Sequence, residues 1–112
     1  MNEAQIKAGK LLQSMSFNER VWALTARVPK GKVTTYGQIA KKLNCKGYRA
    51  VGNALNRNPF APEVPCHRVV GSNGALTGFA GGLPKKRAML NSEGITLKND
   101  KVTLDKTTFF QL

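Results

Sequence analysis

The chain has 112 residues, of which 18 are Lys or Arg and 6 are Asp or Glu, so its formal net charge is +12. This length suits a single domain spanning residues 1–112 with one modest core. No apolar run of about eighteen residues occurs, and the start lacks a basic stretch followed by an apolar one, so we expect neither a membrane span nor a secretory signal. Two cysteines and one histidine predict no disulfide framework, no zinc or other metal site, and a reducing, cytoplasmic setting.

The positive charge is concentrated in one block of the sequence. From Arg20 to Pro62 there are nine Lys or Arg residues and no Asp or Glu. A basic block inside a patterned globular sequence is typical of a protein that binds a polyanion. Nucleic acid and an anionic membrane surface both fit this charge. The lack of a strongly amphipathic basic helix favours nucleic acid.

The first part of the chain predicts two helices. Residues 2–14 carry a weak apolar stripe and indicate the first of them. Ser16 and Glu19 have the spacing of a capping box, which predicts that a second helix begins there. Apolar residues then recur at helical spacing as far as Val28, and the segment 29–32 (PKGK) predicts a turn.

The next part of the chain has the pattern of a helix-turn-helix. Residues 33–35 are β-branched and extended, and Thr35 is placed to cap a helix over 36–43, with Gln38 completing a second capping box. A turn at 44–47 separates this helix from another over 48–56. A short glycine-containing turn between two helices is typical of this DNA-binding unit. A plain helical hairpin with a solvated face is the alternative.

The second of these helices is predicted to bury Tyr48, Val51 and Leu55. Its other face is polar and narrow, with the residues Arg49, Ala50, Gly52, Asn53, Ala54, Asn56 and Arg57. A glycine inside a helix costs about 1 kcal/mol relative to alanine. Close approach of the helix backbone to another surface would explain that cost.

The most chemically suggestive segment is the pair Cys66 and His67. The proline-rich stretch 58–65 predicts a stiff loop that leads to Cys66, and 67–70 predicts a short strand. A thiol becomes a nucleophile as the thiolate, which a nearby base or positive charge favours. His67 can act on the thiol through one bound water. A buried structural cysteine beside a histidine is the alternative.

The last part of the chain predicts a helix and a hairpin. The glycine-rich segment 77–82 fits either close approach to a ligand or a connector, and 83–91 predicts a helix with proline in its first turn. Residues 95–104 predict a β-hairpin. Phe109 and Phe110 must fold onto the core or meet a partner. The predicted fold is mainly α with short β elements, a winged helix-turn-helix-like DNA-binding domain.

Several strings of the sequence together resemble the O6-alkylguanine-DNA alkyltransferases, also called methylated-DNA–protein-cysteine methyltransferases. The resemblance covers about 16–94 and leaves 95–112 as a C-terminal tail. The matching strings are 31–40 (GKVTTYGQIA), 49–55 (RAVGNAL), 58–59 (NP), 65–70 (PCHRVV) and 78–83 (GFAGGL).

The resemblance implies a DNA repair reaction in which a protein transfers an alkyl group irreversibly to itself. An O6-alkylguanine, such as O6-methylguanine, is flipped out of duplex DNA and its alkyl group moves to Cys66. In this family pattern His67 deprotonates the thiol through water and Glu93 orients His67. Asn58 braces the loop before the cysteine, and the Tyr36 hydroxyl contacts the guanine. No cofactor is implied.

The resemblance also implies a DNA interface and a substrate pocket. In this family the second helix of the helix-turn-helix enters the minor groove, and Arg49 fills the space that the flipped base leaves. The implied DNA contacts are Thr35, Tyr36, Arg49, Ala50, Gly52, Asn53 and Arg57. The implied pocket residues are Tyr36, Leu55, Val64, Pro65, Phe79 and Ala80. The expected partner is duplex DNA that contains O6-alkylguanine, bound by a cytoplasmic monomer.

Three features depart from the family pattern. Residues 1–15 are too few for the family's usual N-terminal domain, which we therefore expect to be missing. Phe79 and Ala80 stand where the family often has a tyrosine and a serine. The short length and the tail after Gly94 resemble the alkyltransferase-like proteins, which bind alkylated DNA without repairing it and recruit excision-repair proteins. The damage sensor is therefore the alternative function. Those proteins typically carry a tryptophan where this chain has Cys66, so Cys66 discriminates between the two functions. A winged-helix regulator and a thiol hydrolase fit the sequence less well.

Overall fold

The structure is a computed structural model and describes residues 2–77 and 82–112. Within these residues the helices are α1 (Glu3–Lys7), α2 (Phe17–Ala26), α3 (Tyr36–Lys42), α4 (Tyr48–Asn56) and α5 (Leu83–Ser92). The strands are β1 (Thr34–Thr35), β2 (Val69–Val70), β3 (Leu97–Lys98) and β4 (Lys101–Val102), and a 3₁₀ turn spans Cys66–Arg68. The described chain is mainly helical, as the sequence predicts, and none of its helices is long and apolar enough to span a membrane.

Helices α1 to α4 surround a first core, which we call the helical core. Trp22 is central to it, since its indole Nε1–H donates a hydrogen bond of 2.7 Å to the carbonyl of Ala54 in α4. Phe60, from the proline-rich loop, packs edge-on against the Trp22 ring with 6.0 Å between ring centroids. The buried members of the helical core are Ile6, Met15, Val21, Trp22, Ala23, Leu24, Ile39, Ala40, Val51, Ala54, Leu55, Val64 and Val69.

A second cluster, the sheet core, lies on the other side of strands β1 and β2. These strands pair in parallel, with Thr34 opposite Val69 and Thr35 opposite Val70. Successive side chains of a strand point to opposite faces, so Val69 belongs to the helical core and Val70 to the sheet core. The segment that carries Cys66 and His67 therefore runs directly into the junction of the two cores. The buried members of the sheet core are Val33, Val70, Leu76, Leu90, Ile95 and Val102.

The helix-turn-helix prediction is confirmed by α3 and α4, which are joined by residues 43–47. The Thr35 side chain accepts a hydrogen bond from the Gln38 backbone and caps α3. The capping box at α2 is also present in full, because the Ser16 hydroxyl accepts from the Glu19 backbone and the Glu19 carboxylate accepts from the Ser16 backbone.

The C-terminal hairpin and the fate of the tail are also defined. Strands β3 and β4 pair antiparallel, and Asn99 and Asp100 both take positive φ in the turn between them. The tail folds back onto β1, since Val33 donates to the carbonyl of Thr108 and accepts from the backbone N–H of Phe110. Of the two possibilities that the sequence left open for the tail, the structure has the intramolecular one.

Two predicted elements are wrong in extent or type. The helix predicted over 2–14 ends at Lys7, because Gly9 takes a φ of +75° and its carbonyl accepts a 2.8 Å hydrogen bond from Arg27. The strand predicted over 67–70 begins only at Val69, since His67 lies in the 3₁₀ turn.

The predicted rotation of α4 is wrong at two positions. Tyr48, predicted to be buried, is 62% exposed, whereas Ala54, predicted on the outer face, is fully buried beneath Trp22. Val51 and Leu55 are buried as predicted. The first turn of α4 is exposed, so the buried stripe of the helix starts at Val51.

Candidate active site and nucleic-acid interface

Cys66 lies at the end of a loop that side-chain hydrogen bonds hold in place. The Asn58 amide donates to the carbonyl of Val64 at 2.8 Å, and its carbonyl oxygen accepts from the Phe60 backbone at 2.9 Å. Cys66 is a free, half-buried thiol that packs against the helical core. Cys66 is thus partly exposed and is positioned by a braced loop. This is the arrangement that the sequence resemblance implies for Asn58 and Cys66.

His67 is connected to a buried carboxylate. Its Nε2 lies 2.7 Å from Glu93 Oε2, and the histidine side chain is only 3% exposed. Arg68 donates to both oxygens of the same carboxylate, at 2.9 Å from Nε and 2.8 Å from Nη2, and also to the carbonyl of Val28. Glu93 follows the last turn of α5, so this contact joins the cysteine segment to that helix.

The protonation states of this cluster follow from burial and charge. Burial lowers the pKa of His67, although the hydrogen bond to Glu93 opposes that change. Burial alone would raise the pKa of Glu93, but hydrogen bonds from Arg68 and His67 outweigh it and hold the pKa below its usual range. A neutral His67 beside an ionised carboxylate carries its proton on Nε2, and Nδ1 is then a free base.

A second group of polar side chains surrounds the hydroxyl of Tyr36. This hydroxyl donates to the carbonyl of Thr77 at 3.0 Å. The Lys86 ammonium donates to the carbonyls of Val69 and Thr77, and lies 5.8 Å from the centre of the Tyr36 ring. Burial raises the pKa of Tyr36, and the charge of Cys66 adds to that rise. Tyr36 is therefore a protonated hydrogen-bond donor near the thiol.

Lys86 is a fully buried cation with a lowered pKa. Burial lowers its pKa to about 8, while the charge of Cys66 opposes the decrease. An ammonium in this position stabilises negative charge at Cys66 or on a group held by Tyr36. Lys86 and Tyr36 therefore both interact electrostatically with Cys66.

The residues predicted to line the substrate pocket divide into two groups. Leu55, Val64 and Pro65 are buried, and the first two belong to the helical core, so they back the cysteine segment. Tyr36 is half-buried beside Thr77. Phe79 and Ala80 lie outside the described residues.

The residues predicted to contact DNA lie mostly on one open side of α4. Arg49, Ala50, Asn53 and Arg57 are exposed, and a Cβ added at Gly52 would meet nothing within 4 Å. Packing inside the protein therefore does not require the glycine. Thr35 differs from these residues, since it is mostly buried and its hydroxyl caps α3.

Sequence reasoning missed two residues of the site, Arg68 and Lys86. Arg68 anchors Glu93, and Lys86 connects Tyr36 with the cysteine segment. A signal for Lys86 was present, because it shares a helical stripe with Leu83 and Leu90 at i, i+3 and i+7. A lysine on the apolar stripe of a helix needs buried hydrogen-bond acceptors. For Arg68 we find no comparable signal.

The chain matches one protein family over most of its length. The family is described as "6-O-methylguanine DNA methyltransferase, DNA binding domain", and the match covers residues 16–95. A methylated-DNA–protein-cysteine methyltransferase from Methanosarcina mazei is 52% identical over 87 residues, which are 77% of this chain and 55% of that protein. The protein of the same name from Mycobacterium tuberculosis is 46% identical over 83 residues, 73% of this chain and 50% of that protein. The chain spans about half the length of these curated relatives.

Solved structures give the same result. The M. tuberculosis OGT in complex with DNA is 40% identical with a TM-score of 0.67, and the match covers 81% of this chain and 62% of that one. Schizosaccharomyces pombe Atl1, in complex with damaged DNA containing O6-carboxymethylguanine, is 28% identical with a TM-score of 0.73, over 84% of this chain and 94% of that one. With the matching profile, the relatives and the arrangement around Cys66 taken together, the chain belongs to the family of 6-O-methylguanine DNA methyltransferase DNA-binding domains.

Proposed function

We propose that this protein repairs duplex DNA by moving the alkyl group of an O6-alkylguanine irreversibly to the sulfur of Cys66. The observation that carries the proposal is an accessible thiol followed directly by the buried His67–Glu93 couple. The family's name and the names of the curated relatives support the same reaction. In the transfer, a sulfur–carbon bond forms and the carbon–O6 bond breaks, so guanine leaves with the electron pair.

His67 supplies the base that the thiol needs. Its Nε2–H is donated to Glu93, which leaves Nδ1 to accept the thiol proton through one water molecule. Arg68 keeps the Glu93 carboxylate ionised and fixed, and so acts as a positioning residue. The imidazolium that forms is stabilised by the carboxylate.

Tyr36 and Lys86 act on the leaving group. As carbon leaves O6, negative charge develops on the guanine, and a donor aimed at the ring stabilises that charge. The Tyr36 hydroxyl donates to the carbonyl of Thr77 in the free protein, and on binding it turns its O–H to the guanine. Lys86, 5.8 Å from the centre of the tyrosine ring, supplies a positive field. The high pKa of Tyr36 keeps its proton available at neutral pH.

The DNA side of the proposal rests on α4. A base inside a duplex is out of reach, so the enzyme must extrude the damaged nucleotide at a cost of a few kcal/mol. We assign the minor groove to the open side of α4, with Arg49 filling the vacated position and Ala50, Asn53 and Arg57 beside it. The narrow surface around Gly52 supports a close approach.

Mass spectrometry tests the reaction directly. After incubation with a duplex that contains one O6-methylguanine, we expect the peptide carrying Cys66 to gain one methyl group. The Cys66→Ala variant should bind the same duplex and gain nothing, and Cys45→Ala, which changes the other cysteine, should react normally. An unmodified Cys66 peptide in a protein that binds the duplex would refute alkyl transfer.

That last result would favour the second candidate, a non-repairing damage sensor that recruits excision-repair proteins. The likeness to S. pombe Atl1, whose own length is covered to 94%, is the observation behind it. The accessible Cys66 favours repair instead, since a sensor has no use for a braced thiol beside a base.

We extend the proposal to the protein's setting. The DNA supplies the alkyl group and the protein supplies the accepting sulfur, so the reaction needs no cofactor. We propose a cytoplasmic monomer that works on chromosomal DNA. Analytical ultracentrifugation with and without a lesion-containing duplex checks the stoichiometry, with one protein per lesion expected.

A further inference from the structure

Tyr48 stands out because its large aromatic side chain is exposed to solvent. It is 62% exposed, and among the residues that the structure describes it is the strongly exposed large apolar side chain. It opens α4 directly before Arg49, which is also exposed. An aromatic ring on a basic surface indicates a binding contact more than a core residue.

The ring reaches back from α4 towards α3. A Cβ added at Gly37 would lie 3.8 Å from both Cε1 and Oη of Tyr48. Gly37 directly follows Tyr36, whose hydroxyl is bonded to Thr77. The Tyr48 ring therefore packs beside the first turn of α3, whose first residue is Tyr36.

The space beside Tyr48 suits a sugar–phosphate strand. A cavity of about 740 Å³ is bounded by Tyr48 and Gln38, with Lys41 and Lys106 contributing positive charge. Asp105 also borders it, and hydrogen bonds from Thr107 and Thr108 lower the pKa of its carboxyl and keep it negative. The cavity therefore combines aromatic and apolar walls from Tyr48, Leu104 and Phe109 with two cations and one anion. The apolar walls fit a deoxyribose, and the two lysines suit its phosphates.

We propose that Tyr48 is a positioning residue that packs against a deoxyribose of the duplex strand that lies along the cavity between α4 and α3. The inference rests on the proposed function. It assigns Tyr48 to the handling of duplex DNA and not to the transfer chemistry, because the chemistry is carried out by Cys66, His67 and Tyr36. Loss of the ring should therefore affect reaction with duplex and spare reaction with the free base.

The test compares two substrates in two variants. For Tyr48→Ser we expect roughly tenfold weaker binding of an O6-methylguanine duplex, measured in the Cys66→Ala background, and a similar decrease in the second-order rate of Cys66 methylation by that duplex. Methylation by free O6-methylguanine base should keep the unmodified rate. Tyr48→Phe, which keeps the ring, should retain most of the duplex affinity.

Each other outcome has a distinct meaning. Equal loss with the duplex and the free base would show that Tyr48 supports the active site itself, and would overturn the inference. Unchanged duplex binding and rate in Tyr48→Ser, with Cys66 still methylated, would overturn it and leave the proposed function intact. Failure of the unmodified protein to methylate Cys66 with either substrate would overturn the proposed function.

Discussion

The Glu93 carboxylate is hydrogen-bonded to both His67 and Arg68. It accepts hydrogen bonds from His67 and from Nε and Nη2 of Arg68, in a position where its side chain is 9% exposed. Removing one partner of a buried ion pair leaves an uncompensated charge, which is strongly destabilising. The carboxylate therefore contributes to both the orientation of the histidine and the stability of the fold.

Glu93→Gln should separate these two contributions. A glutamine cannot accept from all three groups, so we expect the methylation rate of Cys66 to fall by roughly 10²- to 10⁴-fold, with duplex affinity nearly unchanged. Asp100→Asn is the matched control, because Asp100 also accepts two bonds from an arginine, Arg87, away from the cysteine. Single-turnover assays compare them, and equal rates in the two variants would contradict the role of Glu93.

The pH dependence of the transfer rate should have two limbs. Burial lowers the pKa of His67 below its ordinary value of 6.5. The histidine can therefore act as a base above this lowered pKa, and it becomes protonated and loses that ability as the pH falls through it. The positive charge of Lys86, whose pKa is about 8, is present below that pH and lost above it. As the pH increases, we expect the rate to rise with a midpoint below pH 6.5 and then to fall with a midpoint near pH 8.

Lys86→Met assigns the alkaline limb. This variant should react more slowly at pH 7 and lose the decrease near pH 8, while the acid limb stays. Rates of Cys66 methylation by the free base from pH 5 to 9 measure it without interference from DNA binding. A decrease near pH 8 that persists in Lys86→Met would belong to another group.

Helix α4 carries a glycine that the protein alone does not need. Since a Cβ at Gly52 would meet nothing within 4 Å, Gly52→Ala should stabilise the free protein by up to about 1 kcal/mol. The added methyl group should nevertheless weaken duplex binding, because we propose that the backbone there approaches the minor groove. Thermal unfolding and a duplex titration measure the two effects, and a variant that gains stability with unchanged affinity would remove Gly52 from the interface.

The elements differ in how far the sequence determines them. The capping box at Ser16, the bounds of α4 and the turn at Asn99 are set by local chemistry, and all were predictable. The end of α1 was not, because Gly9 is fixed in its conformation by contact with Arg27, 18 residues away. The exposure of Tyr48 was not predictable either, because periodicity does not report which turn of a helix the rest of the protein covers.

The active site shows the same division. The order of the family strings pointed to Cys66, His67, Glu93 and Asn58, and the structure brings the first three into one region and braces the loop with the fourth. The roles of Arg68 and Lys86 arise from long-range packing of α5 against the cysteine segment. A sequence pattern does not encode that packing.

The charge of the protein as a whole should govern the proposed encounter with DNA. Duplex affinity should fall roughly tenfold or more between 50 and 200 mM salt, since each phosphate contact contributes about 0.9 to the slope of log affinity against log salt. Lys41→Gln with Lys42→Gln, two exposed changes in the basic block, should flatten that slope. Replacement of Lys98 and Lys101, on the exposed hairpin, by glutamine is the control. This control variant should keep a steeper salt slope than the variant with Lys41→Gln and Lys42→Gln. A flat response in the unmodified protein would contradict the basic block's role.

The tail strand has a consequence for how copies of the protein behave together. Residues 108–110 occupy the backbone donors and acceptors of Val33, on the side of β1 that β2 leaves open. An uncovered strand edge is a template for pairing with another chain. A shortened protein lacking 105–112 should therefore expose this edge and self-associate more readily than the full chain.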